Sequence, residues 1–339
     1  MRLPSGLAAC LALVVACHAA PPVGSPSPAE ILSCVDLPPG DGRSHNLSGL
    51  AWDPATRRLF AVSDRDKQLT VLAPRPGFTG FDLLPAITLD IDASWDGEAV
   101  ALAGDRFLVV ANETTAAVFS VDRSGHGAVR LALPALAGIR DNLGLEALGY
   151  VESGGERYVL AINEEALDSD GPTATADHGT VVRILLHPLD RGGDLEVAYL
   201  TEPVFAAGGS SNNGVSDLAV LSPDRVLVLE RAWVSDKGNA VRIYDVDLRG
   251  AQNVLGMPDA RAATPVAKRL VVDLATLGDG PCGVLPSPQP SRTLENYEGM
   301  ALGPTLDDGR QLVFLVADDN LSARQVPRLV TLALAPGAL

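Results

Sequence analysis

The feature that most constrains this chain is a short unit that returns five times. It consists of an acid or serine, a small apolar run, a tight turn, a second apolar run and another acid or amide. The clearest copy is 95–113. There Glu98 precedes the run 99–103, Gly104 and Asp105 form the turn, and 107–111 leads into Asn112 and Glu113. Two short apolar runs about a Gly-Asp turn spell a β-hairpin. A hairpin lays its start beside its end, which predicts Glu98 a few ångströms from Asn112 and Glu113. The other copies begin at Ser48, Glu146, Ser216 and Glu298, with spacings of 50, 48, 70 and 82 residues.

More apolar runs follow each hairpin, at 69–72 and 86–91, 117–121 and 128–133, 181–186 and 195–200, 241–246 and 270–274, and finally 328–334. A hairpin plus two strands is a four-stranded antiparallel sheet of about 50 residues, and radial repetition of such sheets makes a β-propeller. The expected class is therefore all-β. The 33 glycines and 25 prolines suit many turns, and no stretch sustains a 3.6-residue apolar period. The long spacings are assigned to insertions at 166–180 and 250–268. The last copy is short of a strand, and 31–35 is placed to supply it from the amino-terminal side. Five repeats are visible, and the length leaves room for five or six blades.

The chain opens with a leader, 1–17. Arg2 is its positive charge, and 7–16 is an apolar run too short to span a bilayer. It ends in Val14-Val-Ala-Cys17, which resembles a bacterial lipobox with Cys17 as the lipidated residue; the alternative is plain secretion with cleavage near Ala19 or Ala20. A Pro/Ser-rich linker (18–30) and one propeller domain (31–339) follow. The expectation is an exported monomer in the periplasm or at the cell surface, touching membrane only through a lipid anchor. Cys34 and Cys282 remain after the leader cysteines are set aside, and in an oxidising compartment they form either a bridge or two free thiols. The net charge of −16, with no basic patch, excludes nucleic acid as a partner. It also repels phosphate esters unless bound cations reverse the local sign.

In a propeller the innermost strand of each blade lines a central channel. With the first runs as inner strands, Glu98, Glu146, Glu298 and Asp217 converge on one mouth of that channel. The second strands return Asp64, Asn112, Glu113, Asn163, Glu164, Glu230, Asp318 and Asp319 to the same face. Carboxylates so close cannot all ionise without a positive charge among them. Hard oxygen donors with amide neighbours suit Ca²⁺. The competing reading is that each acid caps a strand or accepts backbone N–H groups. His45 and His178 are candidates for proton transfer. Arg231 and Arg65 either grip a substrate anion or pair with neighbouring carboxylates.

Asn46-Leu-Ser-Gly-Leu-Ala-Trp52, Asp96-Gly-Glu-Ala-Val-Ala101, Asn142-Leu-Gly-Leu-Glu-Ala-Leu148, Val215-Ser-Asp-Leu-Ala219 and Asn296-Tyr-Glu-Gly-Met-Ala301 together resemble the phytase-like domain family called "esterase-like activity of phytase". The resemblance runs from about residue 43 to 335. It implies an exported propeller that hydrolyses phosphate or carboxylic esters. The arrangement is also similar to calcium-dependent lactonase and phosphotriesterase propellers, which set Glu and Asn about a channel-bound Ca²⁺. No Gly-x-Ser-x-Gly elbow, Walker loop or His-Glu-x-x-His motif is present. The Gly-rich stretch 208–214 reads as a flexible loop over the channel mouth. The function expected is a Ca²⁺-dependent hydrolase of small-molecule esters, with Glu98, Glu146, Asp217 and Glu298 on the metal. The alternative is a non-catalytic propeller that binds a ligand or a protein at the cell envelope.

Overall fold

The apolar runs form strands because both of their faces are covered. In the last copy Leu312, Phe314 and Val316 pack toward one neighbouring sheet, whereas Val313, Leu315 and Ala317 pack toward the other. Such a strand reads as a continuous apolar run, not as an alternation. A computed structural model describes residues 28–134 and 136–339. The leader, Cys17 and linker residues 18–27 lie outside the described residues.

β1 (Ala29–Asp36) comes first. Blade 1 is β2 (Leu47–Asp53), β3 (Arg58–Ser63), β4 (Gln68–Pro74) and β5 (Phe81–Thr88). Blade 2 is β6 (Val100–Ala103), β7 (Arg106–Asn112), β8 (Ala117–Asp122) and β9 (Val129–Arg130). Blade 3 is β10 (Leu145–Ser153), β11 (Glu156–Asn163), β12 (Val181–Pro188) and β13 (Leu195–Leu200). Blade 4 is β14 (Ser211–Ser222), β15 (Arg225–Val234), β16 (Gly238–Asp247) and β17 (Ala267–Asp273). Blade 5 is β18 (Tyr297–Thr305), β19 (Gln311–Ala317) and β20 (Arg328–Leu334), completed on its outer edge by β1. This is a five-bladed, four-stranded antiparallel propeller, and helix among the described residues is limited to short 3₁₀ turns.

Five apolar clusters fill the five gaps between adjacent blades, so the core is a ring of interfaces. The inner strands β2, β6, β10, β14 and β18 each touch the next, and β18 returns to β2. Closure of the ring rests on β1. It pairs with β20 from Ala29↔Leu334 to Asp36↔Arg328, which takes Ala29 and Glu30 from the expected linker into the sheet. Cys34 is disulfide-bonded to Cys282 across 248 residues, and Arg328 Nε donates to Asp36 Oδ1 at 2.6 Å.

Two local expectations change. Length beyond five blades goes into the insertions, and Val254, Ala260 and Ala263 of the second one pack on Val181 and Ala198 of blade 3. The stretch 208–214 is not simply a loop over the mouth. Its last four residues begin β14 and pair with β15 from Ser211↔Val234 to Gly214↔Arg231, because the hairpin continues upward instead of stopping at the mouth.

Candidate functional site at the channel mouth

A bulge in the inner strands builds the site. β10 breaks register between Leu145 and Ala147, β14 between Val215 and Asp217, β18 between Tyr297 and Gly299, and β2 between Leu47 and Leu50. The residues inside these breaks are Glu146, Ser216, Glu298 and the pair Ser48-Gly49. A bulged residue leaves the ladder and its side chain is re-aimed. In blade 2 the equivalent residue, Glu98, stands just before β6 and donates its N–H to Val110 C=O at 3.2 Å. Gly49 donates to Glu98 C=O at 2.7 Å. A Cβ at Gly49 would lie 2.5 Å from Ala99 Cα, so only glycine allows blades 1 and 2 to approach this closely.

Asp96, Glu98 and Glu113 each present a carboxylate oxygen, and the three atoms lie within 4.8 Å of one another. Glu113 Oε2 also accepts the Gly144 N–H at 2.7 Å. Glu298 accepts from Asn296 Nδ2 at 2.8 Å and from Ser48 Oγ at 3.3 Å. Arg231 reaches in from β15, with Nη2 3.5 Å from both Glu164 Oε1 and Glu298 Oε1.

Burial dominates the electrostatics. It pushes Glu98 well above the usual carboxylate range, and the charges of Glu298, Glu113 and Asp96 push the same way. Glu146 is raised by burial and then by Glu98, Glu164, Glu113 and Glu298. Burial lifts Glu164 to about 8 against the pull of Arg231. It lifts Asp318 to about 9, with Glu298 adding to it, and Asp64 to about 6. Asp96 and Glu113 are raised for the same first reason. Glu164 and Asp318 thus hold protons near neutrality unless positive charge joins them.

Other expected site residues lie elsewhere. Asp217 does not join the cluster. Its Oδ2 accepts the N–H groups of Met300 (2.6 Å) and Leu50 (3.4 Å), and its Oδ1 that of Leu218 (2.8 Å). The reason is register. Ser216 holds the repeat position of Glu98, Glu146 and Glu298, and neighbours along a strand face opposite ways. Asp217 thus ties three inner strands together. Glu230 is buried behind the mouth, accepting from Tyr199 Oη (2.5 Å), Lys268 Nζ (2.7 Å) and Glu202 N–H (2.8 Å). His45 Nδ1 is 2.6 Å from Asp319 Oδ2, and its Nε2 is 2.8 Å from Pro39 C=O. Burial lowers its proton affinity, but the bonds to Asp319 and Pro39 and the charges of Asp319 and Asp41 together outweigh this and raise it. That pairing occupies both His45 and Asp319. His178 is exposed, its Nδ1 3.1 Å from the adjacent Gly179 C=O. Asn163 bridges Arg183 N–H and Glu165 C=O, and Asn112 accepts from Thr115, so both amides are used within their own blades. Arg65 pairs with Asp64 at 3.2 Å.

The structure adds Asp96, two residues before Glu98. The Asp-x-Glu spacing was a usable signal, since alternate residues of an extended segment face the same way. Asn46 Oδ1 and Asp64 Oδ1 are buried without a hydrogen-bond partner. An all-oxygen donor set with orphaned acceptors beside it fits a hard cation.

A family model described as "Phytase-like: Esterase-like activity of phytase" matches residues 43–321. No curated protein matches the chain in sequence. Among solved structures, a nidogen/laminin complex is similar at 11% identity and a TM-score of 0.41, covering 86% of this chain and 87% of its own. A gluconolactonase from Xanthomonas campestris gives 15% and 0.38, covering 86% of each chain. An α-L-arabinanase from Penicillium chrysogenum gives 8% and 0.43, covering 90% and 97%. Scores this low carry no argument about function.

Proposed function

This chain belongs to the phytase-like family, and on that premise we propose that its channel mouth is a calcium-dependent centre for hydrolysis of phosphate or carboxylic esters. The observation that carries the reading is the Asp96, Glu98 and Glu113 oxygens within 4.8 Å of one another, walled by further buried acids. These three residues would hold the ion. When bound, it would polarise an ester oxygen and lower the pKa of a coordinated water. Arg231, held 3.5 Å from Glu164 and Glu298, would bind the anionic ester oxygen. Asp64, at about 6, has the proton affinity to accept a proton from water near neutral pH. The Cys34–Cys282 bridge supports the reading of an exported chain, because such bonds persist in oxidising compartments.

The experiment is turnover of p-nitrophenyl phosphate and p-nitrophenyl acetate with calcium or with chelator. Calcium-dependent turnover is expected, reduced about 100-fold or more in Glu98→Gln and Glu113→Gln, with far-UV circular dichroism unchanged. Turnover indifferent to chelator, or intact in both variants, refutes the proposal. Calcium binding without any turnover would favour the ligand-binding reading.

A further inference from the structure

A groove of ≈ 680 Å³ opens beside the acidic centre between blades 4 and 5 and shares Arg231 and Asn296 with it. Its walls are tied in place. Gln289 Oε1 accepts the Asn239 N–H at 2.7 Å, and Ser287 Oγ donates to Arg324 C=O at 2.7 Å. The lining chemistry differs from that of the mouth. Asn212, Asn239 and Gln289 are amides, Arg231 and Arg324 are cations, and Asp236 is the one carboxylate on the wall. Trp233 contributes an indole that is 38% exposed, whereas Trp52 is buried and Trp95 spends its Nε1 on Ser63 C=O. Seven buried side-chain polar atoms lack a partner among the described residues. Three of them, Asn212 Oδ1, Asn239 Oδ1 and Arg231 Nε, belong to residues of this groove.

We infer that this groove is a saccharide subsite, which holds the hydroxyl-rich ring of a sugar against Trp233 and the amides, with any acidic substituent directed at Arg231. An indole face covers the apolar C–H face of a pyranose. Amides both donate and accept, as hydroxyl groups require. A densely phosphorylated polyol fits poorly, because two guanidinium groups are set beside a ring of carboxylates in a chain of net charge −16. The inference extends the hydrolase reading by naming the chemistry of the alcohol half of the ester, and it can be tested without turnover.

Isothermal titration calorimetry of the full chain with cellobiose, glucuronate and inositol hexakisphosphate, in calcium and in chelator, tests it. Saturable binding of cellobiose or glucuronate is expected in both conditions. It should weaken about tenfold or more in Trp233→Ala and in Asn239→Ala, and be largely retained in Trp233→Phe. Trp233 lies at the surface, so its replacement should leave the thermal transition in place. No sugar binding, equal affinity in Trp233→Ala, or binding confined to inositol hexakisphosphate overturns the inference. Sugar binding without any ester turnover would uphold the subsite while sinking the hydrolase proposal.

Discussion

Arg231 is outnumbered: its guanidinium answers to Glu298, Glu164, Glu146 and Asp318 at once, and burial pushes Glu146, Glu164 and Asp318 upward. The sign of the consequence follows from linkage. Glu164 at about 8 and Asp318 at about 9 hold protons in the folded state that the unfolded chain releases near the ordinary carboxylate range. Their contribution is therefore full below that range and is lost as pH rises through 8 to 9. In chelator the thermal midpoint should fall between about pH 5 and pH 9, and calcium should restore it at the alkaline end. Glu98→Gln, which removes one of the crowded acids, should raise stability in chelator at pH 8 by about 1–2 kcal/mol while abolishing the calcium effect. Differential scanning calorimetry across that pH range measures both. A midpoint that climbs with pH in chelator would contradict the protonated cluster. Of the four expected ligands only Glu98 is among the three carboxylates within 4.8 Å; Glu146 and Glu298 share its repeat position and stand as neighbouring charges. Asp217 was misassigned by a single residue, and at a strand period of two that is the whole difference between facing the mouth and bonding neighbouring inner strands.

At the scale of the elements, the bulged inner strand is the device that turns a repeat into a site. It releases Glu146 and Glu298 from their ladders and brings Gly49 against the Glu98 carbonyl. Gly49→Ala should cost about 1–3 kcal/mol, because Ala99 backbone stands where the new methyl would go and backbone cannot yield as a side chain can. Urea denaturation reads this directly, and an unchanged midpoint would mean that the inner strands are not fixed at this spacing. The strands themselves were legible because runs such as 312–317 are apolar at every position, which fits burial on both faces. Bulges were not, since they depend on how two strands pair and leave no mark in either run alone. The start of β14 at Ser211 was missed for a similar reason. Gly, Ser and Asn have low strand propensity, yet Ser211–Gly214 are held in the sheet by pairing with β15. The short β9 (Val129–Arg130) falls inside the run 128–133 but forms only one pair of ladder contacts, Phe119↔Arg130 and Ser120↔Val129.

For the molecule as a whole, Asp96, Glu98 and Glu113 come from blade 2 alone, but the wall around them exists only while the ring is shut. Blade 1 supplies Asp64, blade 2 Glu98 and Glu113, blade 3 Glu146 and Glu164, blade 4 Arg231, and blade 5 Glu298. No pair of blades could assemble this set alone. The closure is non-local, since β1 must find β20 some three hundred positions away, from Ala29↔Leu334 to Asp36↔Arg328, and the Cys34–Cys282 bond makes that pairing persistent. Removing both sulfurs by Cys34→Ser with Cys282→Ser should cost about 2–4 kcal/mol. Calcium should give part of this back, because the acids of blades 1, 3 and 5 crowd the three blade 2 carboxylates only in the closed ring, and a ligand bound to the folded state alone stabilises it by about 2.7 kcal/mol at a hundredfold excess over its dissociation constant. Urea denaturation of the two-serine variant, with calcium and with chelator, separates these effects. If the variant is as stable as the parent, the bridge does not secure the closure. If it is weakened but calcium restores nothing, the ion does not read the closed ring, and the mouth's acids must be balanced by protons and Arg231 alone.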